Sequence, residues 1–112
     1  MNHLERVEAA ESNRTHPSVL AELAHDMDIY IQRDVAQNYS TPPEALDFLS
    51  LMQMVDIRIH VAGNHNTSPT TLARLAEDEN DTVRWVVSRN PRTPPEVRFA
   101  LFLEHPEWAA IR

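Results

Sequence analysis

Apolar side chains recur along this chain at two helical spacings, which alternate and return every 26 residues. In the first spacing two leucines lie three positions apart and a small residue follows. The members are Leu20, Leu23 and Ala24, then Leu46, Leu49 and Ser50, then Leu72, Leu75 and Ala76. In the second spacing two branched residues lie four apart, namely Ile31 and Val35, Ile57 and Val61, and Val83 and Val87. Each spacing forms one buried stripe of a helix, so the pattern predicts two short helices per period, helix A and helix B.

A polar phrase repeats with the same period. Residues 38–49 recur as residues 64–75 and 90–101, with a worn copy at 12–23. Threonine returns at Thr15, Thr41, Thr67 and Thr93, and proline at Pro17, Pro43, Pro69 and Pro95. A spacing held through four copies indicates one structural unit stacked on copies of itself. We therefore predict one repeat domain, 1–112, with a capping helix at 1–11, full repeats at 12–37, 38–63 and 64–89, and a truncated repeat at 90–112.

The phrase also supplies signals for helix ends. In the second copy Thr41 can cap helix A, Pro42 fits its first turn, and Glu44 completes a capping box. Helix B is expected to close at Asn38, Asn64 and Asn90. Asparagine tolerates the left-handed conformation that ends helices, and its side chain forms Asx turns.

The two ends of the chain depart from the repeat. Residues 2–11 predict a helix with Leu4, Val7 and Ala10 on one side. In the last repeat Arg98 stands where the other repeats have leucine. Bulky apolar groups follow at Phe99, Phe102, Leu103 and Trp108. This end is either a cap wrapped on itself or an apolar surface that pairs with another copy.

Charge and composition narrow the class of protein. The formal net charge is −7, from 17 acidic side chains and 10 basic ones. Such a charge repels phosphate backbones and anionic lipid, so neither nucleic acid nor membrane is an expected partner. The absence of cysteine excludes disulfides, thiolate metal sites and cysteine nucleophiles. The first residues lack a secretory apolar core, and no apolar run approaches the roughly 20 residues that cross a bilayer, which predicts a soluble cytoplasmic protein.

The recurring positions N-x-x-T-P-P-x-x-L-x-x-L-A-x-D and V-R-x-x-V-A-x-N resemble the leucine-rich repeat variant family. The best matches are residues 93–97, 75–78 and 83–90, and the resemblance covers residues 12–112. It implies a right-handed superhelix (an α-solenoid) of paired short helices, the second either α or 3₁₀, with no enzymatic activity in the repeat itself. A relative carries an iron–sulfur cluster on a separate cysteine-bearing segment, so without cysteine the resemblance implies no cofactor. The chain departs from the pattern at Gln32 and Met52, which occupy the places of Arg84 and Asp78.

Repeat proteins bind through residues that face away from the core at a fixed phase. On helix B the position two after the first core residue lies about 200° around the helix from it. That row is Arg33, Ile59, Trp85 and Ile111, and the neighbouring row is Asp34, His60, Val86 and Arg112. We expect Ile59, Trp85 and Val86 to form an exposed apolar patch that binds a partner, with Arg33 and His60 beside it. Trp85→Ala would then leave folding nearly intact, whereas a Trp85 packed on a neighbouring helix would make it costly.

Other candidate sites rest on arginine, histidine and acidic residues. Arg58 and Arg84, with Arg6 as a weaker match, either pair with link carboxylates, for example Arg84 with Asp78 or Asp81, or form an anion site. The histidines His3, His16, His25, His60, His65 and His105 fall at unrelated phases, whereas metal binding needs converging ligands. The acidic link at 77–81 lacks the glycine turn and distal glutamate of a calcium loop. No phosphate-binding loop, nucleophile elbow or H-E-x-x-H motif occurs, so we predict no catalytic residue, no metal and no cofactor.

The sequence therefore predicts an all-α solenoid of about four repeats that serves as a non-catalytic protein-binding or assembly module. The predicted binding surface is the row on the second helices. One alternative is a homodimer sealed through Phe99, Phe102, Leu103 and Trp108. Another is a nucleic-acid-binding helical repeat, which strong DNA binding that weakens steeply with salt would indicate.

Overall fold

Residues 1–110, which the computed structural model describes, fold as short α-helices joined by tight links. Within this range 65% of the residues are helical and no strand occurs. The helices are α1 (His3–Glu11), α2 (Pro17–Leu23), α3 (Ile29–Gln37), α4 (Pro43–Leu49), α5 (Val55–Gly63), α6 (Pro69–Leu75), α7 (Asp81–Arg89), α8 (Pro95–Glu104) and α9 (Pro106–Ala109). The predicted all-α fold is confirmed. The roles predicted for Ile111 and Arg112 fall outside the described residues.

The B helices form the spine of the molecule. Helices α1, α3, α5 and α7 each pack against the next, and α2, α4 and α6 each pack against the B helix that follows. The molecule measures 47 × 22 × 22 Å along its principal axes. The second helix of each full repeat is α rather than 3₁₀, with nine residues in each of α3, α5 and α7. The arrangement is consistent with a solenoid-like stack, and the right-handed sense of its superhelix stays a prediction.

The predicted core stripes lie inside the stack. The leucines of helix A and the branched residues of helix B are at most 4% exposed. Helix α1 behaves differently, because it buries Ala10 while Leu4 remains 64% exposed. The neighbours of α1 are α2 and α3, and they cover the Ala10 side of the helix only. The prediction that Leu4 shares the buried face is wrong.

A ladder of buried asparagines joins each repeat to the one before it. Asn64 Nδ2 donates to the backbone carbonyls of Ala36 and Asn38, each at 2.9 Å. Asn38 and Asn90 form the same two bonds in their own repeats. The Oδ1 atoms accept from the backbone N–H two residues on, at Ser40, Asn66 and Arg92, as an Asx turn requires. The φ angle of Asn64 is −77°, so the predicted left-handed end is wrong, because the side-chain bonds close the helix without a backbone reversal.

The repeated threonines bind the end of helix B and do not cap helix A. Thr41 Oγ1 donates to the Val35 carbonyl at 2.6 Å, and its side chain is fully buried. The same bond recurs at Thr15, Thr67 and Thr93. Helix α4 begins at Pro43 after Pro42, and within the described residues no side chain caps it. The predicted threonine cap and Glu44 capping box are wrong, because the Thr41 hydroxyl binds the Val35 carbonyl and the N-cap position is Pro42, whose side chain has no acceptor.

Arg98 continues the ladder in the last repeat. The asparagines bind carbonyls 28 and 26 positions earlier, and the next equivalent carbonyls are those of Ser88 and Asn90. Arg98 Nε donates to the Ser88 carbonyl at 3.1 Å and its Nη2 to the Asn90 carbonyl at 2.6 Å. An arginine in a leucine position therefore has a structural reason, since its guanidinium provides the two donors that an asparagine provides elsewhere.

Candidate functional site: an apolar cleft at the links

Three links join a helix A to the helix B that follows it. Two of these links each form an arginine–aspartate ion pair with a neighbouring repeat. We call residues 24–28 link 1, residues 50–54 link 2 and residues 76–80 link 3. Arg58 Nε and Nη2 donate to the two carboxylate oxygens of Asp78 in link 3, at 2.8 and 3.2 Å. Arg6 Nε lies 2.9 Å from Asp26 Oδ2 in link 1. The arginine and the aspartate are 20 positions apart in the Arg58 pair, and numbering gives the same separation for the Arg6 pair.

These contacts decide between the two interpretations of the arginines. Arg58 is held by a carboxylate and by the carbonyls of Met52 and Gln53, and its side chain is 12% exposed. An anion site is therefore not supported there. Arg84 does not pair with the Asp78 carboxylate as predicted, because Arg58 occupies it, and Arg84 Nη1 donates to the Asp78 backbone carbonyl at 2.6 Å.

Between α3 and link 2 the ion pair is replaced by two uncharged side chains. Gln32 stands in the arginine position and Met52 in the aspartate position. Gln32 Nε2 lies 3.8 Å from Met52 Sδ and donates to the Ala24 carbonyl at 3.0 Å. The two departures from the repeat therefore meet in space. Their joint effect is to leave this part of the surface without a charged pair.

An apolar cleft of about 380 Å³ occupies this position. It is lined by Ile29, Gln32, Met52, Gln53, Met54 and Ile57. Two exposed apolar side chains line it, Ile29 (38%) and Met54 (42%), and three more are exposed at neighbouring positions of the sequence, namely Met27 (98%), Tyr30 (63%) and Leu51 (64%). We call these five residues the link-face patch. Exposed apolar groups at a cleft are typical of interaction surfaces, and methionine adapts its shape to different partners.

The links before and after link 2 contain acidic residues. Link 1 contains Asp26 and Asp28, link 3 contains Glu77, Asp78 and Glu79, and link 2 contains no charged residue. The Asp28 carboxylate accepts from His3 Nε2 at 2.9 Å and from the Tyr30 N–H at 2.8 Å, if the imidazole carries its proton there. The hydrogen bond from His3, followed by that from Tyr30, lowers the pKa of Asp28 below its ordinary value of 3.8. Asp28 therefore stays ionised at neutral pH while it contacts His3, and the other carboxylate of link 1, Asp26, is paired with Arg6.

The predicted row on the B helices is mostly covered. Ile59, Trp85 and Val86 are half-buried and pack against the core. A Cβ added to Gly63 would lie 3.4 Å from Val86 Cγ1, which shows how closely α7 approaches α5. The expected exposed patch is wrong in this respect, because B helices spaced about 8–10 Å apart cover each other's flanks. Whether the row binds a partner stays a prediction.

The two polar members of that row contact their neighbours. Arg33 lies over the Tyr30 ring at 5.4 Å and 3.7 Å from the Asp56 carboxylate. His60 Nε2 lies 2.9 Å from Gln37 Nε2. A shallow groove of about 400 Å³ runs beside His60, Ile59 and Val86. These contacts hold the polar side chains against the B-helix surface.

The residues predicted for a dimer contact divide into two pairs. Phe102 packs on the core beneath the Arg89 guanidinium, at 5.6 Å, and Trp108 is 9% exposed and stacks on His105 at 3.8 Å. Phe99 and Leu103 are 63% and 67% exposed and lie four positions apart on α8. Of the four predicted residues, only this second pair is available to a partner.

A second groove, of about 490 Å³, lies at the C-terminal ends of α1 and α3. It is lined by Glu11, Ser12, Asn13, Arg14, Asp34, Gln37, Asn38 and Tyr39. Partial burial, and next the negative charge of Glu11, raise the pKa of Asp34 above its ordinary value of 3.8.

The described part of the chain contains no group of three or more acidic or histidine side chains placed to hold a metal ion. No helix within residues 1–110 combines the length and apolarity that crossing a membrane requires.

The cleft was not predicted as a site, although its signal is present in the sequence. Gln32 and Met52 both break the repeat, and they are separated by the same 20 positions as Arg58 and Asp78. In a periodic stack, two residues at those positions are expected to meet. Two departures at coupled positions therefore indicate one altered contact. The exposed link residues could not be predicted in this way. The links are not helical, so no hydrophobic period indicates which of their side chains point toward the core and which toward solvent.

Comparisons with known proteins assign no relative to this chain. No family model matches it, and neither a curated protein nor a solved structure does so. Its function is therefore inferred from the geometry of the repeat stack and of the link-face patch.

Proposed function

We propose that this chain is a non-catalytic helical-repeat scaffold that binds a protein partner, and that the cleft at link 2 receives an apolar side chain of that partner. The observation that carries the proposal is the joint replacement of an arginine–aspartate pair by Gln32 and Met52. This replacement leaves an apolar cleft at link 2, whereas arginine–aspartate ion pairs occupy the equivalent positions at links 1 and 3. Apolar clefts surrounded by polar groups are common centres of protein interfaces.

The scaffold role is also supported by the chemistry of the lining and by the repeat. Isoleucine, methionine and glutamine side chains line the cleft, and none of them serves as a general acid or base at neutral pH. The ladder, which returns at intervals of 26 residues, supports a repeat of the leucine-rich repeat variant type. We propose a cytoplasmic location, because the absence of cysteine fits a reducing compartment.

A double variant that closes the cleft provides the test. Gln32→Arg with Met52→Asp restores the pair that Arg58 and Asp78 form at the same phase, so the fold should be kept. An unbiased displayed peptide library is selected on the wild type, and each selected peptide is measured against the double variant. We expect the peptides to lose about tenfold or more in affinity. Phe99→Ser with Leu103→Ser, which removes two exposed apolar groups elsewhere, should leave the same peptides bound. Equal binding to the wild type and the cleft-closed variant would show that the cleft is not the site.

The second candidate function is self-association through α8. It is favoured by the exposure of Phe99 and Leu103 on one helical face. A mass that rises with protein concentration in sedimentation experiments tests it, and the matching variant is considered in the Discussion.

A further inference from the structure

Four side chains form a polar bridge between α4 and α6. Arg74 Nη2 donates to Asp47 Oδ1 at 3.0 Å and to Ser50 Oγ. Thr71 Oγ1 donates to the same aspartate oxygen at 2.7 Å. Helix α8 occupies the helix A position of the last repeat, and 26 residues later the four positions hold Ala73, Ala76, Val97 and Ala100. The polar bridge is therefore replaced by apolar side chains between α6 and α8.

A groove of about 230 Å³ lies where the bridge would be, and we call it the α6–α8 groove. It is lined by Ala73, Ala76, Glu77, Glu96, Val97, Ala100, Leu101 and Glu104. Position 100 explains why the groove is open. The equivalent positions of the two preceding repeats hold Phe48, which packs against the core, and Arg74, which reaches across to α4. Ala100 is too short to do either.

The charges at the α6–α8 groove decide which kind of side chain fits it. Glu77, Glu96 and Glu104 are exposed and form no ion pair within residues 1–110. The Phe48 ring lies 4.0 Å from the His25 ring, and the residue two repeats after His25 is Glu77. A carboxylate at this place attracts a cation, whereas the face of an aromatic ring is itself negative. Of the two large side chains that the repeat puts in this space, arginine is the complementary one.

We infer that the α6–α8 groove receives an arginine side chain of a protein partner. The aliphatic stem lies on the alanines, and the guanidinium meets carboxylates from both α6 and α8, which suits its several donors better than the single charged point of lysine. Arg74 and Asp47 show such a contact within this molecule, at the equivalent place between α4 and α6. The inference rests on the proposed protein-binding role, but it uses none of the residues that line the cleft at link 2.

The test uses two displayed peptide libraries with the same randomised positions around one fixed central residue. The fixed residue is arginine in one library and phenylalanine in the other. Selection on the full chain should give tight binders from the arginine library. Each should lose about tenfold or more in affinity when it is resynthesised with citrulline, which keeps the shape of the side chain without its charge. Affinity should fall as salt is raised, because the carboxylates are exposed.

Variants of the groove provide the second measurement. Ala100→Arg puts in the groove the residue that the preceding repeat has there, and should lower the affinity of the selected arginine peptides about tenfold or more. Glu77→Gln with Glu104→Gln keeps the groove open but removes two charges, and should weaken the same peptides several-fold. Asn13→Arg adds the same charge at an exposed position in the first repeat and should leave binding unchanged. Ala100 is exposed on α8, so its variant should keep the fold, which far-ultraviolet circular dichroism checks.

Three outcomes would overturn the inference. The first is equal binding of the arginine peptides to the wild type and to Ala100→Arg, which would place them elsewhere. The second is an equal loss with Asn13→Arg, which would show unspecific attraction to an acidic protein. The third is a phenylalanine library that gives groove-dependent binders as tight as the arginine ones, which would show an apolar occupant.

The cleft-closed variant, Gln32→Arg with Met52→Asp, separates this inference from the proposed site at link 2. If the arginine peptides depend on Ala100→Arg while no peptide of the unbiased library depends on the cleft, the α6–α8 groove is a protein site and the cleft is not. If the peptides of both libraries lose affinity only in the cleft-closed variant, the cleft is the site and the inference about the groove is wrong.

Discussion

At the scale of single residues, the buried polar side chains hold this stack together. Asn38, Asn64 and Asn90 are at most 6% exposed, and each satisfies two carbonyls at the junction with the preceding repeat. A buried carbonyl without a donor is costly, which makes the asparagines more sensitive to substitution than their polarity suggests. The same demand explains why Arg98 replaces a leucine.

Asn64→Ala is expected to lower the free energy of unfolding by about 2–4 kcal/mol, because it leaves two buried carbonyls without donors. Urea denaturation measures the change. Asn13→Ala is the matched control, since Asn13 is exposed and its side chain makes no hydrogen bond to the described residues. That control should change stability by less than about 0.5 kcal/mol. Equal effects of the two substitutions would show that the ladder contributes nothing beyond surface composition.

Asp34 and Asp28 should give pH dependences of opposite sign. The pKa of Asp34 is raised in the folded chain, so its charged form is disfavoured and stability falls as the pH rises through the folded pKa. Asp34→Asn should therefore stabilise the protein at neutral pH, by an amount that shrinks as the pH falls toward 3.8. The pKa of Asp28 is lowered, so its contribution is present above 3.8 and is lost as the pH falls through the folded pKa.

Denaturation curves at several pH values, read with Asp28→Asn and Asp34→Asn side by side, test both signs. Asparagine is chosen at position 28 because it retains the helix cap that Asp28 provides. Two variants with parallel pH profiles would contradict the prediction.

At the scale of elements, the flanks of the B helices are interior surface. Helix α7 lies directly on α5 and on α8, and Trp85 packs against the core from the flank that the helical period assigns to solvent. A helix in a stack has neighbours on two sides as well as beneath it. A residue's angular position around its own helix, even on the side opposite the core residues, therefore does not establish that its side chain is exposed.

Trp85→Ala should lower the free energy of unfolding by about 1.5–3 kcal/mol, somewhat less than the about 3–5 kcal/mol of a fully buried aromatic. The exposed Tyr39, at 72%, provides the aromatic control, and Tyr39→Ala should stay within about 0.5 kcal/mol. Thermal or urea unfolding measures both. A Trp85 variant as stable as the wild type would restore the prediction made from the helical period.

At the scale of the whole molecule, the stack is a short acidic rod. Its long axis of 47 Å is about twice its width of 22 Å, and its net charge is −7. Like charge opposes the approach of two copies at long range. Self-association must therefore rest on local apolar contact, and Phe99 and Leu103 on α8 provide one.

Two exposed side chains cover far less than the roughly 1,000 Å² that a stable interface buries. We therefore expect the wild type to sediment as a monomer when dilute and to associate only as its concentration rises. Phe99→Ser with Leu103→Ser should abolish that association without loss of helicity, because neither side chain packs in the core. A wild-type mass that stays monomeric at all concentrations, or association that persists in the variant, would remove α8 as the contact.

The sequence by itself determined the all-α class of the fold, the two helices of each 26-residue period and their buried positions. This follows because Leu46, Leu49, Ile57 and Val61 obey a local period that a single helix already imposes. The roles of the polar signals were less determined. Thr41 and Asn64 have several local uses, and only the neighbouring repeat shows that they bind Val35 and the carbonyls of the preceding junction.

Only the tertiary structure decided which surfaces are open. The exposure of a side chain depends on what the next repeat covers. Packing between neighbouring repeats covers the flank of Trp85, whereas Met27, Leu51 and Met54 at the links remain exposed. The cleft is the clearest case. Gln32 and Met52 are 20 positions apart in sequence, and their meaning as one altered contact arises from stacking, which brings the start of one B helix against the following link.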